Sequence, residues 1–258
     1  MTRPQALIEH IPQQMRRSYD RIAPVYDRGW PKAKRIAWTS AWEDRAVNKQ
    51  LVRRLPPGGR VLDLGCGVGV WLKMFRVAGF RVAGIDQSPR MVQFSRRRNP
   101  GSPVFCRDMR RPGFAAGSFD GILSMYAIIH VPQADQPEVF RHMFRLLKPG
   151  GHFLINVCRG ATEYVGEHHG EWLYWSGSSV AESFRRIRNA GFKILWHRGL
   201  GPRNDHHMWI LGRKPETRRN GDAQGTVVAA RRELTRAMSR AGVKTLRDIE
   251  RVVDAGRS

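Results

Sequence analysis

The chain has 258 residues, 41% of them hydrophobic, with 45 Lys and Arg against 22 Asp and Glu and a formal net charge of +23. That length suits one large α/β domain, or one domain with an appendage, and no run of 18 apolar residues offers a transmembrane helix. The first twenty residues lack a continuous apolar core and a small-residue cleavage site, so no signal peptide is expected. Cys66, Cys106 and Cys158 are widely spaced, form neither a disulfide framework nor a zinc pattern, and point to a reducing, cytoplasmic compartment.

The positive charge has two readings. One is attraction to a polyanion such as nucleic acid; the other is an Arg-rich solvated surface. The basic residues are scattered through every segment rather than massed in one block, which favours the second.

Along the chain, residues 5–30 read as a helix, with Leu7, Ile8, Ile11 and Met15 at helical spacing. Residues 40–54 give a second helix, closed by Pro56, Pro57 and two glycines. An alternation follows. RVLDLG is a strand and VWLKMFRVAG a helix ended by Gly79. RVAGID is a strand, and SPRMVQFSRRR a helix with Ser88 as N-cap and Pro89 in its first turn. PVFCRD and FDGILSMYAI are strands, QPEVFRHMFRLL is a helix and HFLINVC is a strand. Such alternation builds βαβ units around a parallel sheet.

Past Arg159 the stretch GATEYVGEHHGEWLYWSG is aromatic and reads as irregular. SVAESFRRIRNAG is a helix ended by Gly191. FKILWHRGL and HHMWILGRK are strands expected to pair as an antiparallel hairpin. Beyond Pro215 a polar stretch leads to a basic amphipathic helix at about 226–241 and another at 245–254.

The glycine turn narrows the ligand. Asp63-Leu64-Gly65-Cys66-Gly67-Val68-Gly69 reads D-x-G-x-G-x-G, with the third glycine one residue earlier than in the dinucleotide fingerprint. In a dinucleotide site the helix N-terminus faces a pyrophosphate. An Asp at the end of the strand would repel that anion but suits an ammonium group. The turn therefore favours an ammonium-bearing nucleoside over NAD.

These motifs resemble class I S-adenosylmethionine-dependent methyltransferases over roughly residues 15–212. VLDLGCGVG resembles the family's first motif, and VAGIDQSPRMV its second. CRDMRRPGFAAGSFDGILSMYAIIHV resembles the adenine-binding loop with the fourth strand, and LLKPGGHFLI the turn before the fifth strand. The resemblance implies an α/β, Rossmann-like seven-stranded sheet of order 3-2-1-4-5-7-6 with helices on both faces. An N-terminal helical lid would occupy residues 1–50, the methyltransferase domain 51–214 and a basic helical extension 215–258. The extension is read as an oligomer contact within a homodimer, a cover for the site or a solvated helix.

The implied cofactor is S-adenosyl-L-methionine. Asp86, at the tip of the second strand, suits both ribose hydroxyls, flanked by Gln87 and Met91. Asp108 suits the adenine amino group, with Met109 beside it. Gly65, Cys66 and Gly67 let the backbone approach the ligand, and any Cβ on the glycines would block it. Asp63, Met125, Tyr126 and Tyr19 complete the expected cofactor contacts.

For the acceptor, His130 follows the fourth strand near where the methyl should point, and histidine is the natural base near neutral pH. His130 is thus a candidate both for catalysis and for lining the cleft. Tyr26 stands two helical turns from Tyr19 on one face. His168, His169, Trp172 and Trp175 are candidates for a lid over the acceptor. Adjacent histidines point to opposite sides of an extended chain, so two ligands to one ion would need a sharp turn and no metal site is expected. The nucleic-acid amino methylases of the family carry an Asn/Asp-Pro-Pro-aromatic motif where this chain has Ser124-Met125-Tyr126-Ala127.

The expected activity is methyl transfer to an oxygen, nitrogen or carbon nucleophile of a small-molecule acceptor in specialised metabolism. No membrane partner is expected. The rival readings are methylation of nucleic acid or protein by way of the basic surface, and a non-methylating scaffold of the same fold.

Overall fold

A computed structural model describes residues 10–29, 49–160, 162–199 and 207–216. The chain divides into two units at Pro215–Glu216, and every element described here belongs to the first. The helices expected at 226–241 and 245–254 lie outside the described residues. So does most of the helix expected at 40–54, of which 49–52 is helical.

Helix α1, Ile11–Gly29, forms because Met15, Ser18 and Ile22 recur at intervals of three and four and are buried together. The alternation that follows is β1 (Arg60–Leu64), α2 (Val70–Val77), β2 (Arg81–Asp86), α3 (Pro89–Arg98), β3 (Val104–Cys106), β4 (Phe119–Ser124), α4 (Gln136–Leu146) and β5 (Leu147–Arg159). The start of α3 is the one its sequence specifies. Ser88 Oγ accepts from the Met91 N–H at 3.1 Å, and Pro89 occupies the first turn, where no N–H is needed.

Strands β1 to β5 are mutually parallel in the order β3-β2-β1-β4-β5. Two further pieces join β5. Strands β8 (Lys193–Gly199) and β9 (His207–Arg213) form the expected antiparallel hairpin, and β9 runs antiparallel along β5. They supply the sixth and seventh positions of the expected order 3-2-1-4-5-7-6.

The sheet has nine strands rather than seven. The stretch read as irregular is a second hairpin, β6 (Glu163–His168) and β7 (Glu171–Ser178), followed by α5 (Val180–Asn189). Cys158 of β5 pairs with Gly177 of β7 and also with His207 of β9. Strand β7 therefore takes the side of β5 that β4 has left, directly beyond the end of β4.

The pleat sends alternate residues to opposite faces. Leu62 and Leu64 pack with Val139, Phe140 and Met143 of α4 and Ile187 of α5. Val61 packs on the other face with Leu72 and Phe75 of α2 and Val92 of α3. Each fully buried side chain of this size stabilises the fold by roughly 1.5–3 kcal/mol. A third, smaller cluster holds α1 in place: Met15 and Ile22 meet Val68, Met91 and Leu173.

Candidate active site

A cleft opens where β1, β2 and β4 end, and α1 lies along its edge. Parallel strands deliver their carboxyl ends to the crevice where the strand order reverses, which is where ligands bind in such sheets.

The first wall is the glycine turn. Gly65 has φ +77°, and a Cβ built on it would stand 2.2 Å from the Cβ of Ala127. Only glycine fits this conformation and this approach. Gly67 has φ +51° with nothing within 4 Å of its missing Cβ, so open space lies beside the backbone.

Asp86 forms the second wall. Its two oxygens accept the backbone N–H groups of Gly67 and Ser88, each at 2.9 Å. Burial pushes its pKa up to about 6, against the hydrogen bonds from Ser88 and Gly67 that hold it down. A carboxylate has about four acceptor sites, so capacity remains toward the cleft for a ligand's hydroxyls.

Asp63 is placed differently from the other expected cofactor residues. It does not line the cleft but lies 1% exposed at the end of β1, with neither carboxylate oxygen hydrogen-bonded. Burial, and then the charge of Asp86, push its pKa up to about 8.

The third wall holds Asp108 and Met109. Asp108 accepts from the Arg110 backbone at 2.8 Å and from its guanidinium at 2.6 Å, and Arg110 reaches on to Asp135 at 2.7 Å. Gln87, Met91, Cys66, Met125 and Tyr126 also line the cleft. Tyr126 has φ +55°, in the left-handed region, and its N–H donates to Asn156 Oδ1 at 2.5 Å. Strain of this kind persists where the surroundings impose it.

The opposite end is aromatic. His130 ends a short 3-10 turn, Ile128–His130, set just beyond β4. Its Nδ1 lies 2.6 Å from the carbonyl oxygen of Tyr174 on β7. A carbonyl only accepts, so Nδ1 carries the ring proton. Nε2 is then the bare nitrogen, and it accepts the Tyr19 hydroxyl at 2.6 Å. Burial pushes the His130 pKa down to about 4 and raises that of Tyr19.

Tyr26 Oη lies 2.9 Å from His168 Nε2, and burial pushes the Tyr26 pKa up to about 12. Tyr19, Tyr26 and His130 line the cleft. His168, His169 and Trp175 stand behind them; the Trp175 ring centroid is 5.6 Å from that of His130. His169, at φ +54°, supplies the sharp turn between β6 and β7, and the rings of His168 and His169 come within 4.3 Å. Among the described residues, no three metal-binding side chains converge. Trp172 is not brought to the cleft: alternation along β7 turns Leu173 and Trp175 one way and Trp172 the other, leaving it 60% exposed.

Several contributors were not legible beforehand. Asp20 of α1 accepts from Ser88 Oγ at 2.6 Å and from the Arg90 N–H at 3.1 Å, fixing α1 to the start of α3. Ser18 Oγ donates to the Trp172 carbonyl at 3.0 Å, and Arg21 pairs with Glu171 at 2.8 Å, fixing α1 to β7. The carbonyl of Tyr174 and the amide of Asn156 act through backbone contacts that carry no motif.

The donor set fits S-adenosylmethionine: a buried unpaired carboxyl, a carboxylate with spare acceptor capacity, and open space beside Gly67. Fold and cleft together define the S-adenosylmethionine-dependent methyltransferases of class I. The chain belongs to the methyltransferase-domain family, whose model matches residues 40–210.

It is similar to phosphoethanolamine N-methyltransferase 1 of Arabidopsis thaliana, 38% identical over 65% of this chain and 35% of that protein. It is also similar to the ubiquinone biosynthesis O-methyltransferase of Xanthomonas axonopodis pv. citri, 31% identical over 54% of this chain and 64% of that one. The chain thus spans about a third to two thirds of the length of these relatives. The crystal structure of the [4+2]-cyclase SpnF matches 80% of this chain and 96% of its own with a TM-score of 0.61 at 20% identity, a likeness of fold.

Proposed function

We propose that the protein transfers a methyl group from S-adenosylmethionine to an oxygen or nitrogen nucleophile of a small-molecule acceptor, in the cytoplasm and within specialised metabolism. The observation that carries this reading is the buried Asp86, held by Gly67 and Ser88 at the edge of a cleft whose far end presents a bare imidazole nitrogen. Carbon nucleophiles remain within the same chemistry.

Bound in this cleft, S-adenosylmethionine would supply a methyl group on a positively charged sulfur. The chain's own residues then have three tasks. Asp86 and Asp108 orient the nucleoside. Helix α1 and β7 exclude water, and alignment with exclusion of water is worth about 7–11 kcal/mol when both reactants are held. Tyr19 and His130 take up the acceptor's proton: as the Tyr19 hydroxyl receives it, its own proton passes to His130 Nε2.

The relatives support the small-molecule reading, since the two described act, by name, on phosphoethanolamine and in ubiquinone biosynthesis. The arginines also argue against a nucleic-acid surface as the purpose of the charge. Arg81, Arg96 and Arg145 donate to the carbonyls of Gly58, Val104 and Phe114, where they fasten the fold.

The test is calorimetric binding of S-adenosylhomocysteine, compared with NAD, followed by transfer of labelled methyl to a panel of acceptors. Binding of NAD but not of S-adenosylhomocysteine would overturn the proposal.

A further inference from the structure

We infer that the acceptor is a neutral, ring-bearing hydroxyl compound of the phenol class, and that phosphate- or ammonium-bearing acceptors are excluded. The inference rests on the methyl-transfer reading above and deepens it.

Four charged side chains line the cleft among the described residues, and each is engaged by the protein itself. Asp86 accepts two backbone N–H groups. Arg107 donates to the carbonyls of Pro112 and Gly113 at 2.9 and 3.1 Å and lies over the rings of Phe105 and Phe114. Arg110 is shared between Asp108 and Asp135, at 2.6 and 2.7 Å. These groups sit with the second and third strands, at the end where the nucleoside belongs.

The acceptor end is made of Tyr19, Tyr26, His130, Val131 and Pro132. Its rings meet edge to face: Tyr19 and Tyr26 at 6.2 Å, Tyr19 and His130 at 5.3 Å. Aromatic walls of this kind take a planar ring by edge and face contact.

The same end disfavours charge of either sign. Burial raises the pKa of Tyr19, which opposes an anion, and lowers that of His130, which opposes a cation. A phosphate or an ammonium entering here would shed its water with no opposite charge to meet it. A neutral hydroxyl avoids that penalty and finds one polar partner, the Tyr19 oxygen, whose proton is already given to His130.

The reaction balances with these groups. The acceptor's oxygen forms a C–O bond as the cofactor's C–S bond breaks, and the bonding pair stays on sulfur, discharging it. The hydroxyl proton goes to Tyr19 Oη while the tyrosine's proton goes to His130 Nε2. The imidazolium, unfavourable in this setting, returns the proton to water as product leaves.

The experiment uses the full chain. S-adenosylhomocysteine is titrated first; then 2-naphthol and phosphoethanolamine are each titrated into the saturated protein, and each is tested for labelled methyl uptake. The expected result is that 2-naphthol binds at least tenfold more tightly than phosphoethanolamine and alone becomes methylated on oxygen. Phosphoethanolamine binding as tightly or more tightly, or neither compound binding while S-adenosylhomocysteine does, overturns the inference. If S-adenosylhomocysteine fails to bind, the methyltransferase reading falls by itself. The naphthol titration then still decides whether the aromatic end takes a neutral ring: binding upholds that, and its absence overturns it.

Discussion

Tyr19 Oη and His130 Nε2 lie 2.6 Å apart although 111 positions separate the two residues in the chain. The bond joins the middle of α1 to the turn beyond β4, and it makes one unit of a hydroxyl and an imidazole. If that unit takes the acceptor's proton, His130→Ala should lower kcat by about 10²–10⁴-fold, the range for a positioned general base. Tyr19→Phe should lower it in the same direction. Steady-state rates at saturating cofactor measure both, and a near-normal kcat in His130→Ala would leave alignment as the source of catalysis.

The pH profile separates this arrangement from an exposed histidine. With a pKa near 4 in the folded protein, His130 stays unprotonated well below neutrality. The acid limb of kcat that belongs to it should therefore fall near pH 4 rather than near 6.5. Its folded pKa is below the unfolded one, so its contribution to stability is complete above about pH 6.5 and is lost as pH falls from there toward 4. Urea titrations at pH 7 and pH 5 should show that loss in the wild type and less of it in His130→Ala.

For the cofactor, Asp86→Ala removes the acceptor at the tip of β2. The ribose hydroxyls would lose a charged partner, and affinity for S-adenosylhomocysteine should fall by ~1.5–3 kcal/mol. Calorimetry checks it; an unchanged affinity would take Asp86 out of the site.

Asp63 offers a test of the opposite sign. Its folded pKa is raised, to about 8, so the ligand-free protein loses stability as pH climbs from the unfolded value toward 8. Asp63→Asn should flatten that decline, raising Tm of the ligand-free protein at pH 8.5 while weakening cofactor binding. A variant with the same pH dependence of Tm as wild type would refute the assignment.

The two glycines of the turn should separate folding from binding. Gly65→Ala drives a Cβ to 2.2 Å from Ala127 at a positive φ, and should fail to fold or lose several kcal/mol in urea unfolding. Gly67→Ala has room for its Cβ and should unfold nearly as wild type, at the ~1 kcal/mol level set by its φ. Its methyl would enter the cleft, however, and cofactor affinity should drop.

The cofactor half was legible in the sequence because its signals are local. Ser88 followed by Pro89 specifies a helix start, and an acid at the tip of the second strand needs only the strand and turn around it to be placed. The hairpin β6–β7 was not legible. Its strands carry Glu163, Glu167, Gly166 and Gly177 among the aromatics, and this hides the period of two. Nor was the Tyr19–His130 bond, which depends on where α1 comes to rest. The Trp172 side chain illustrates the same limit: composition marked an aromatic lid, but only the strand's register decides which rings face inward.

The hairpin has one more consequence. The nucleoside end of the cleft is built from the first three strands and the loops after them, whereas the acceptor end is borrowed from α1, the turn at Ile128–His130 and the carbonyl of Tyr174. The two ends have little chain in common. Change in one need not disturb the other, so a lineage of such proteins can keep its methyl donor while replacing a single pair of strands to acquire a different molecule to modify.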